Sequence, residues 1–268
     1  MEIKDYQGCG KELEALLKLR TFPVAVKWYE DTADVPDDAV YPLKDMGKHL
    51  SFCQAVSASR MKGWTVAMTI ADHWCWNPLI GFGCVPCEPG TEVFDAVTDV
   101  LFIPDKEKAE KFFIDFPRLP LGKYKVVVTA PLAKAQFVPD VVMVYGDTEQ
   151  VNFLTLMTKS LTGSRIKSEH DGIDSCIYST VVPFQTNEYK VVFPDIGERE
   201  RAQTRTDEMI FASPGEKIAA VTDRLRETME MGIGLSAQHL ELAFDHARPA
   251  FYNDMFRLWG LEEGIDRT

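Results

Sequence analysis

Three cysteines, Cys75, Cys84 and Cys87, fall within thirteen residues, in the run HWCWNPLIGFGCVPCEP. Thiolates are soft ligands, and two of them separated by two residues can grip one metal ion or one edge of a cluster. With Cys176 or Cys53 as the fourth ligand, the set would hold a [4Fe–4S] cluster, which needs four ligands and tolerates one that is distant in sequence. The spacing C-x8-C-x2-C is not one of the familiar ferredoxin runs. Zinc would use the same thiolates, with His73 as a substitute ligand. The competing reading is three partly buried thiols, because free cysteine is among the most buried residue types.

Other residues near this run invite chemistry. His73 would act as a ligand or as the proton donor to a substrate held at an open iron, although a single histidine beside tryptophans is more often structural. Trp74 and Trp76, with Trp64, would shield a cluster or stack on a flat ligand, while core packing explains them at least as well. Arg199 or Arg201, in the run GERER from Gly197 to Arg201, would clamp a carboxylate or phosphate. The alternating charges of that run equally fit a solvated loop between two strands. The chain has no Gly-x-Gly-x-x-Gly, no phosphate-binding Gly-Lys-Ser/Thr loop, no Gly-x-Ser-x-Gly elbow and no His-Glu-x-x-His. Nucleotide-driven chemistry and serine hydrolysis therefore have no support.

The composition narrows the class. At 268 residues with 46% apolar and 26% charged residues, the chain has what a folded soluble protein needs. A net charge of −12 argues against nucleic acid and against an anionic membrane surface as partners. No apolar run reaches the roughly 18 residues of a membrane span, and the N-terminus has no basic start followed by an apolar stretch. The expectation is a cytoplasmic protein. There its six cysteines would be free thiols, ligands or redox groups rather than a disulfide framework.

The elements that must position these residues follow from periodicity. Helices are expected over 11–19, 51–62, 91–102, 106–116 and 149–161, with stops at Gly63 and Gly163. Strands are expected over 22–28, 64–70, 124–130, 140–145, 189–193 and 208–212. The segment 75–90 reads as a Gly- and Pro-rich loop. Ser213-Pro214-Gly215-Glu216 reads as an N-cap opening a helix to about Met229, and 237–258 reads as helix broken near Pro249. The fold class is α+β in one compact unit of 1–268, with a helical C-terminal tail. Residues 20–130 and 131–212 look like diverged halves of a duplication, and 213–268 like C-terminal helices. Both halves carry an aromatic-x-Asp-Thr turn, at Tyr29 and Tyr145. Counted from the glycines that end the next helices, Gly63 and Gly163, Cys53 matches Phe153, and Cys75, 12 residues on, matches Cys176, 13 residues on; the last two would face a cleft shared by the halves. Phe251, Tyr252, Phe256 and Trp259 would serve homo-oligomer contacts or a packed helix.

Several pieces together resemble a known family. They are PVAVKW, Cys53 opening a helix with AVSASRMKG, Cys75 followed by LIGFG, FPDIGERE, and DEMIFASPGEKI. These span Phe22 to Lys217 and are similar to a prokaryotic family of unknown function described as "uncharacterised ArCR". The resemblance implies no settled activity and a home mainly in archaea and anaerobic bacteria. It implies that Cys53, Cys75 and Cys176 are positions of the family pattern, and that Cys84 and Cys87 are additions. Two functions follow as expectations. One is a [4Fe–4S] protein with a redox or cofactor-handling role and a redox partner protein. The other is a metal-free module that binds a small molecule, with Cys53 and Cys176 as plain thiols or a redox sensor; a structural zinc protein is a variant of the first chemistry.

Overall fold

Strands β1 (Val24–Tyr29), β3 (Val126–Pro131) and β4 (Val141–Gly146) bury side chains of both parities, so helices must cover both faces of their sheet. The computed structural model describes residues 1–235 and 251–260. The chain divides into a unit Met1–Leu235 and a unit Ser236–Thr268. In the first unit, β2 (Val66–Met68), β5 (Lys190–Val192) and β6 (Met209–Pro214) complete a six-stranded antiparallel sheet in the order β2-β3-β1-β4-β6-β5.

The helices are α1 (Ile3–Leu17), α2 (Pro42–Met46), α3 (Phe52–Ser57, continued by a π turn Ala58–Lys62), α4 (Trp76–Gly81), α5 (Glu92–Thr98), α6 (Lys106–Phe113), α7 (Thr148–Thr162), α8 (Ser175–Tyr178), α9 (Val181–Thr186), α10 (Ile196–Ala202), α11 (Ile218–Glu230) and α12 (Phe251–Leu258). One face of the sheet is covered by α1, α7 and α11 through Leu13, Leu17, Leu154, Met157, Val221 and Leu225. The other face meets Phe52 of α3, Ile80 of α4, Phe113 of α6 and Ile177 of α8. The fold is α+β, as its composition of elements requires.

The pairing register repeats. Val24 of β1 faces Pro131 of β3, and Val141 of β4 faces Pro214 of β6. Val66 of β2 faces Thr129, and Lys190 of β5 faces Ala212, which are the matching positions. Between the halves Ala25 faces Val142, flanked by Val24 with Met143 and Val26 with Val141. This is the register that a two-fold relation between the strand sets would require. The matches expected outside the strands do not follow it. The helix ending at Gly63 packs on one face of the sheet, while the helix ending at Gly163 packs on the other. Cys75 lies after β2 but Cys176 lies before β5, so counting along the chain does not make them equivalent.

Three local expectations are corrected. The run GERER lies in helix α10, capped by Asp195, whose side chain accepts from the Glu198 N–H. Residues 75–90 contain α4. Ser213 and Pro214 finish β6 instead of capping a helix, because Ser213 pairs with Val142 and the Gly215 N–H donates to the Asp140 carbonyl at 2.8 Å. A 3-10 turn Gly215–Lys217 then leads into α11. Of the expected 237–258 helix, Phe251–Leu258 is helical, and residues 236–250 lie outside the described residues. Phe256 of α12 packs edge-on against Trp259, just past the helix, at 5.8 Å, and Tyr252 and Trp259 are exposed. The Phe251 side chain lies outside the described residues.

Gly215 shows how tightly this edge is built. A Cβ there would overlap the Pro139 carbonyl oxygen, which is backbone and cannot swing away. Gly215→Ala is expected to cost about 1–3 kcal/mol in urea unfolding. Gly8→Ala, in helix α1 where a Cβ meets nothing within 4 Å, is expected to stabilise by about 0.5–1 kcal/mol. Equal stability of Gly215→Ala and the native protein would contradict the packing described.

Candidate functional site

Three segments far apart in sequence bring thiols to one place. Cys53 is the second residue of α3, whose N-cap Ser51 and third residue Gln54 bond each other's backbone N–H groups in a capping box. Cys75 immediately precedes α4. Cys176 is the second residue of α8, after Asp174. All three line a cleft of about 250 Å³, together with Trp76, Asn77, Phe102, Asp195, Glu198 and Arg201.

The thiols are held neutral. The Cys176 S–H hydrogen-bonds toward Cys53, which favours the Cys53 thiolate, but burial and the nearby Glu198 and Asp195 outweigh this and leave Cys53 raised. The same bond, with burial, pushes Cys176 well above its ordinary value. Burial lifts Cys75 to about 11, while its S–H donates to Asn77 Oδ1 at 3.3 Å. Burial raises a thiol because it penalises the charged form. Of the bonded pair, Cys53 is the member that its partner favours as a thiolate.

A buried polar network lies behind the thiols. Ser175 Oγ is 2.9 Å from Asp195 Oδ2 and 2.7 Å from Glu198 Oε2. Tyr145 Oη donates to Glu198 Oε1 at 2.7 Å, and Thr204 Oγ1 donates to the same oxygen at 3.1 Å. On the far side of Tyr145, Arg60 forks onto Glu208 at 2.9 and 3.1 Å, with its guanidinium over the tyrosine ring at 4.1 Å. On the Cys75 side, Asn77 Nδ2 donates to Asp174 Oδ1 and to the Ile173 carbonyl. Burial, and then the neighbouring Asp171, push Asp174 up to about 8.

The residues singled out from the sequence divide. Cys53, Cys75, Cys176 and Trp76 come together at the cleft. Cys84 and Cys87 do not. Gly83 turns the chain at φ +69, and a Cβ there would sit 2.7 Å from the Leu119 and Pro120 carbonyls. Beyond it Cys84 lies near Lys125, and the Cys87 carbonyl accepts from Arg118 at 2.8 Å. Among the described residues no group of three or more His, Cys, Asp or Glu is spaced to hold a metal ion. His73 is buried against Phe82 outside the cleft lining, with neither ring nitrogen hydrogen-bonded, and burial pulls it down to about 4. Trp74 donates to Gln54 at 3.1 Å and carries Arg201 over its ring at 5.1 Å, so it frames the cleft mouth through Arg201. Arg199 is committed to the Pro194 and Arg205 carbonyls and lines a neighbouring hollow. Ser175, Asp195 and Glu198 were not anticipated. Asp195-Ile196-Gly197-Glu198 carries the signal that could have found two of them, an Asp cap with Glu three residues on.

A pH dependence follows from Asp174. Its folded form holds a proton up to about pH 8, whereas the unfolded carboxyl releases it near 3.8. This group therefore favours the native state at acid pH, and that advantage is lost as pH rises through about 8. The melting temperature is expected to fall from about pH 5 to about pH 8, and Asp174→Asn, which keeps a neutral donor toward Asp171, to flatten that fall. An unchanged slope in the variant would show that Asp174 is not the group responsible.

Comparison with known proteins agrees with the sequence pattern. An uncharacterized protein of Methanocaldococcus jannaschii is 23% identical over 233 residues, covering 84% of this chain and 95% of that protein. No solved structure matches the chain. No described helix is long and apolar enough to cross a membrane. The family described as uncharacterised ArCR matches residues 12–224, which takes in every strand and all three cleft cysteines. The chain belongs to this uncharacterised ArCR family.

Proposed function

We propose that the chain is a cytoplasmic small-molecule-binding module whose cleft carries a redox-responsive dithiol, Cys53 and Cys176. The observation that carries this reading is the meeting of Cys53 of α3 and Cys176 of α8 on the lining of one open cleft, where each thiol shifts the acidity of the other. Two thiols on one cleft wall can be joined where the chain brings their sulfurs into bonding geometry, and the six cysteines stand as free thiols. The oxidant in this reading is a low-molecular-weight disulfide, RS–SR. Cys53, as thiolate, attacks one sulfur; the S–S bond breaks, a Cys53–SR bond forms and RS⁻ leaves to become RSH. Cys176 then attacks Cys53, forming Cys53–S–S–Cys176 and releasing the second RSH. Two electrons and two protons pass from the cysteine pair to the ligand. Trp76 and Phe102 offer apolar walls to the ligand, and Arg201 a cation at the mouth.

A second reading rests on the third thiol, Cys75, in the same cleft, and requires the three sulfurs to draw together, since as they stand they are not spaced to hold a metal ion. Three thiolates suit a soft metal or three irons of a [4Fe–4S] cluster, with the fourth position open to ligand. Its ligand set would be Cys53, Cys75 and Cys176, not the Cys75, Cys84 and Cys87 set suggested by spacing.

Anaerobic purification with iron, sulfide and zinc analysis separates the two. The metal-free protein would then be treated with glutathione disulfide and weighed intact. The dithiol reading expects substoichiometric metal and a loss of two hydrogens per chain. Cys53→Ser and Cys176→Ser should block that loss, and Cys84→Ser should not. Stoichiometric iron or zinc that depends on Cys75 would replace this reading with the second, and a pair that stays reduced would sink it.

A further inference from the structure

The hydroxyl of Ser175 has one hydrogen and two carboxyl neighbours. It lies 2.9 Å from Asp195 Oδ2 and 2.7 Å from Glu198 Oε2, and all three residues are buried. Two ionised carboxylates at those distances cannot both be satisfied by one hydrogen, so one of them must bring a proton of its own. The surroundings say which. Asp195 caps α10: Oδ1 accepts the Glu198 N–H at 2.6 Å, and Oδ2 accepts the Ser175 N–H at 3.1 Å as well as facing its hydroxyl. Backbone donors at both oxygens favour a carboxylate. Glu198 receives two hydroxyls on Oε1, from Tyr145 and Thr204, and its Oε2 faces only Ser175 Oγ. It is 2% exposed. The guanidinium behind Tyr145, that of Arg60, is already forked onto Glu208 and stacked on Tyr145, and no ion pair joins Glu198 to it or to Arg201 among the described residues. A carboxyl that is buried without a cation is stable only in its neutral form.

We propose that Glu198 is a neutral carboxylic acid that stores a proton for the thiol cleft and exchanges it through Ser175 and Asp195. The chain runs from Glu198 Oε2–H to Ser175 Oγ, and from Ser175 Oγ–H to Asp195 Oδ2. Asp195 and Glu198 both line the cleft with the three cysteines. The titratable and charged groups around Glu198 are Asp195 at the cap of its own helix, Glu200 and Arg201 farther along it, Tyr145 of β4 with the Arg60–Glu208 pair behind it, Cys53 of α3, and Cys176 of α8 on the same cleft lining.

This role rests on the dithiol reading above. When Cys53 attacks a disulfide, its proton passes to Asp195. The departing RS⁻ takes up a proton that the chain returns. The same transfer serves Cys176 in the second step, so both thiol protons end on the two RSH molecules. Glu198 acts through Ser175 and Asp195, and is a positioning residue.

The test has two arms on the full-length protein. The first is infrared difference spectroscopy of the carboxylic-acid carbonyl stretch at neutral pH, in an Asp174→Asn background that removes the carboxyl pushed up to about 8. Glu198→Gln should abolish the remaining band and Asp195→Asn should leave it, with circular dichroism confirming that each variant is folded. Glutamine mimics the neutral acid, because its amide can donate to Ser175 while its oxygen accepts from Tyr145. A band that survives Glu198→Gln, or that disappears only in Asp195→Asn, overturns the assignment. The second arm is the pH profile of exchange with glutathione disulfide. Glu198→Gln should slow exchange at neutral pH by about ten- to a hundred-fold and make its rate track hydroxide concentration. A slower rate with an unchanged profile would mean a structural role and would overturn the relay. If the native protein shows no exchange at all, the dithiol reading and the relay fail together, while the carbonyl band still decides where the proton sits.

Discussion

The Arg60–Glu208 pair is the constraint on which the site depends. Arg60 is 1% exposed, and a guanidinium cannot shed its charge, so it needs a carboxylate where it sits. Glu208, just before β6, supplies one with two bonds, and Tyr145 of β4 lies flat beneath the guanidinium. Losing one partner of such a pair leaves an uncompensated buried charge, typically worth about 3–5 kcal/mol. The pair thereby fixes the end of the α3 and π-turn segment against two strands. Tyr145 then aims its hydroxyl at Glu198, and Glu198 sets the place of Ser175 and, through the cap, of Asp195. The charge at one end of this line decides where polar groups stand at the other, beside Cys53 and Cys176.

That arrangement also explains the state of the thiols. Burial raises all three cleft cysteines, and the carboxyls behind them raise Cys53 and Cys176 further. A cleft of this kind is chemically quiet until something brings a positive charge, a soft cation or an electrophilic sulfur to it. Both functional readings meet that description. They differ in what arrives.

Much of the fold was legible because its signals are local. Runs of valine and aromatics gave all six strands to within a few residues, and Gly63 and Gly163 end helices in the left-handed region, at φ +76 and +66, as their positions implied. Ser213-Pro214-Gly215-Glu216 misled because strand pairing with β4 outweighs a capping pattern. GERER misled because alternating charge says nothing about the Asp195 cap that starts a helix there. The cysteine set misled for a deeper reason. Cys84 and Cys87 are neighbours of Cys75 in sequence, but Gly83 turns them toward Lys125 and Arg118. The partners that Cys75 meets come from α3 and α8, and no spacing rule reaches across that separation. The three cysteines that the family resemblance implied as pattern positions, Cys53, Cys75 and Cys176, are the three that line the cleft.

The measurement that bears most directly on this account is bridging of the reduced protein with a short bifunctional thiol reagent, followed by peptide mapping. The dominant bridge is expected to join Cys53 to Cys176, with any second product involving Cys75. A dominant bridge between Cys84 and Cys87, or between Cys75 and either of them, would contradict the geometry on which the functional proposal stands.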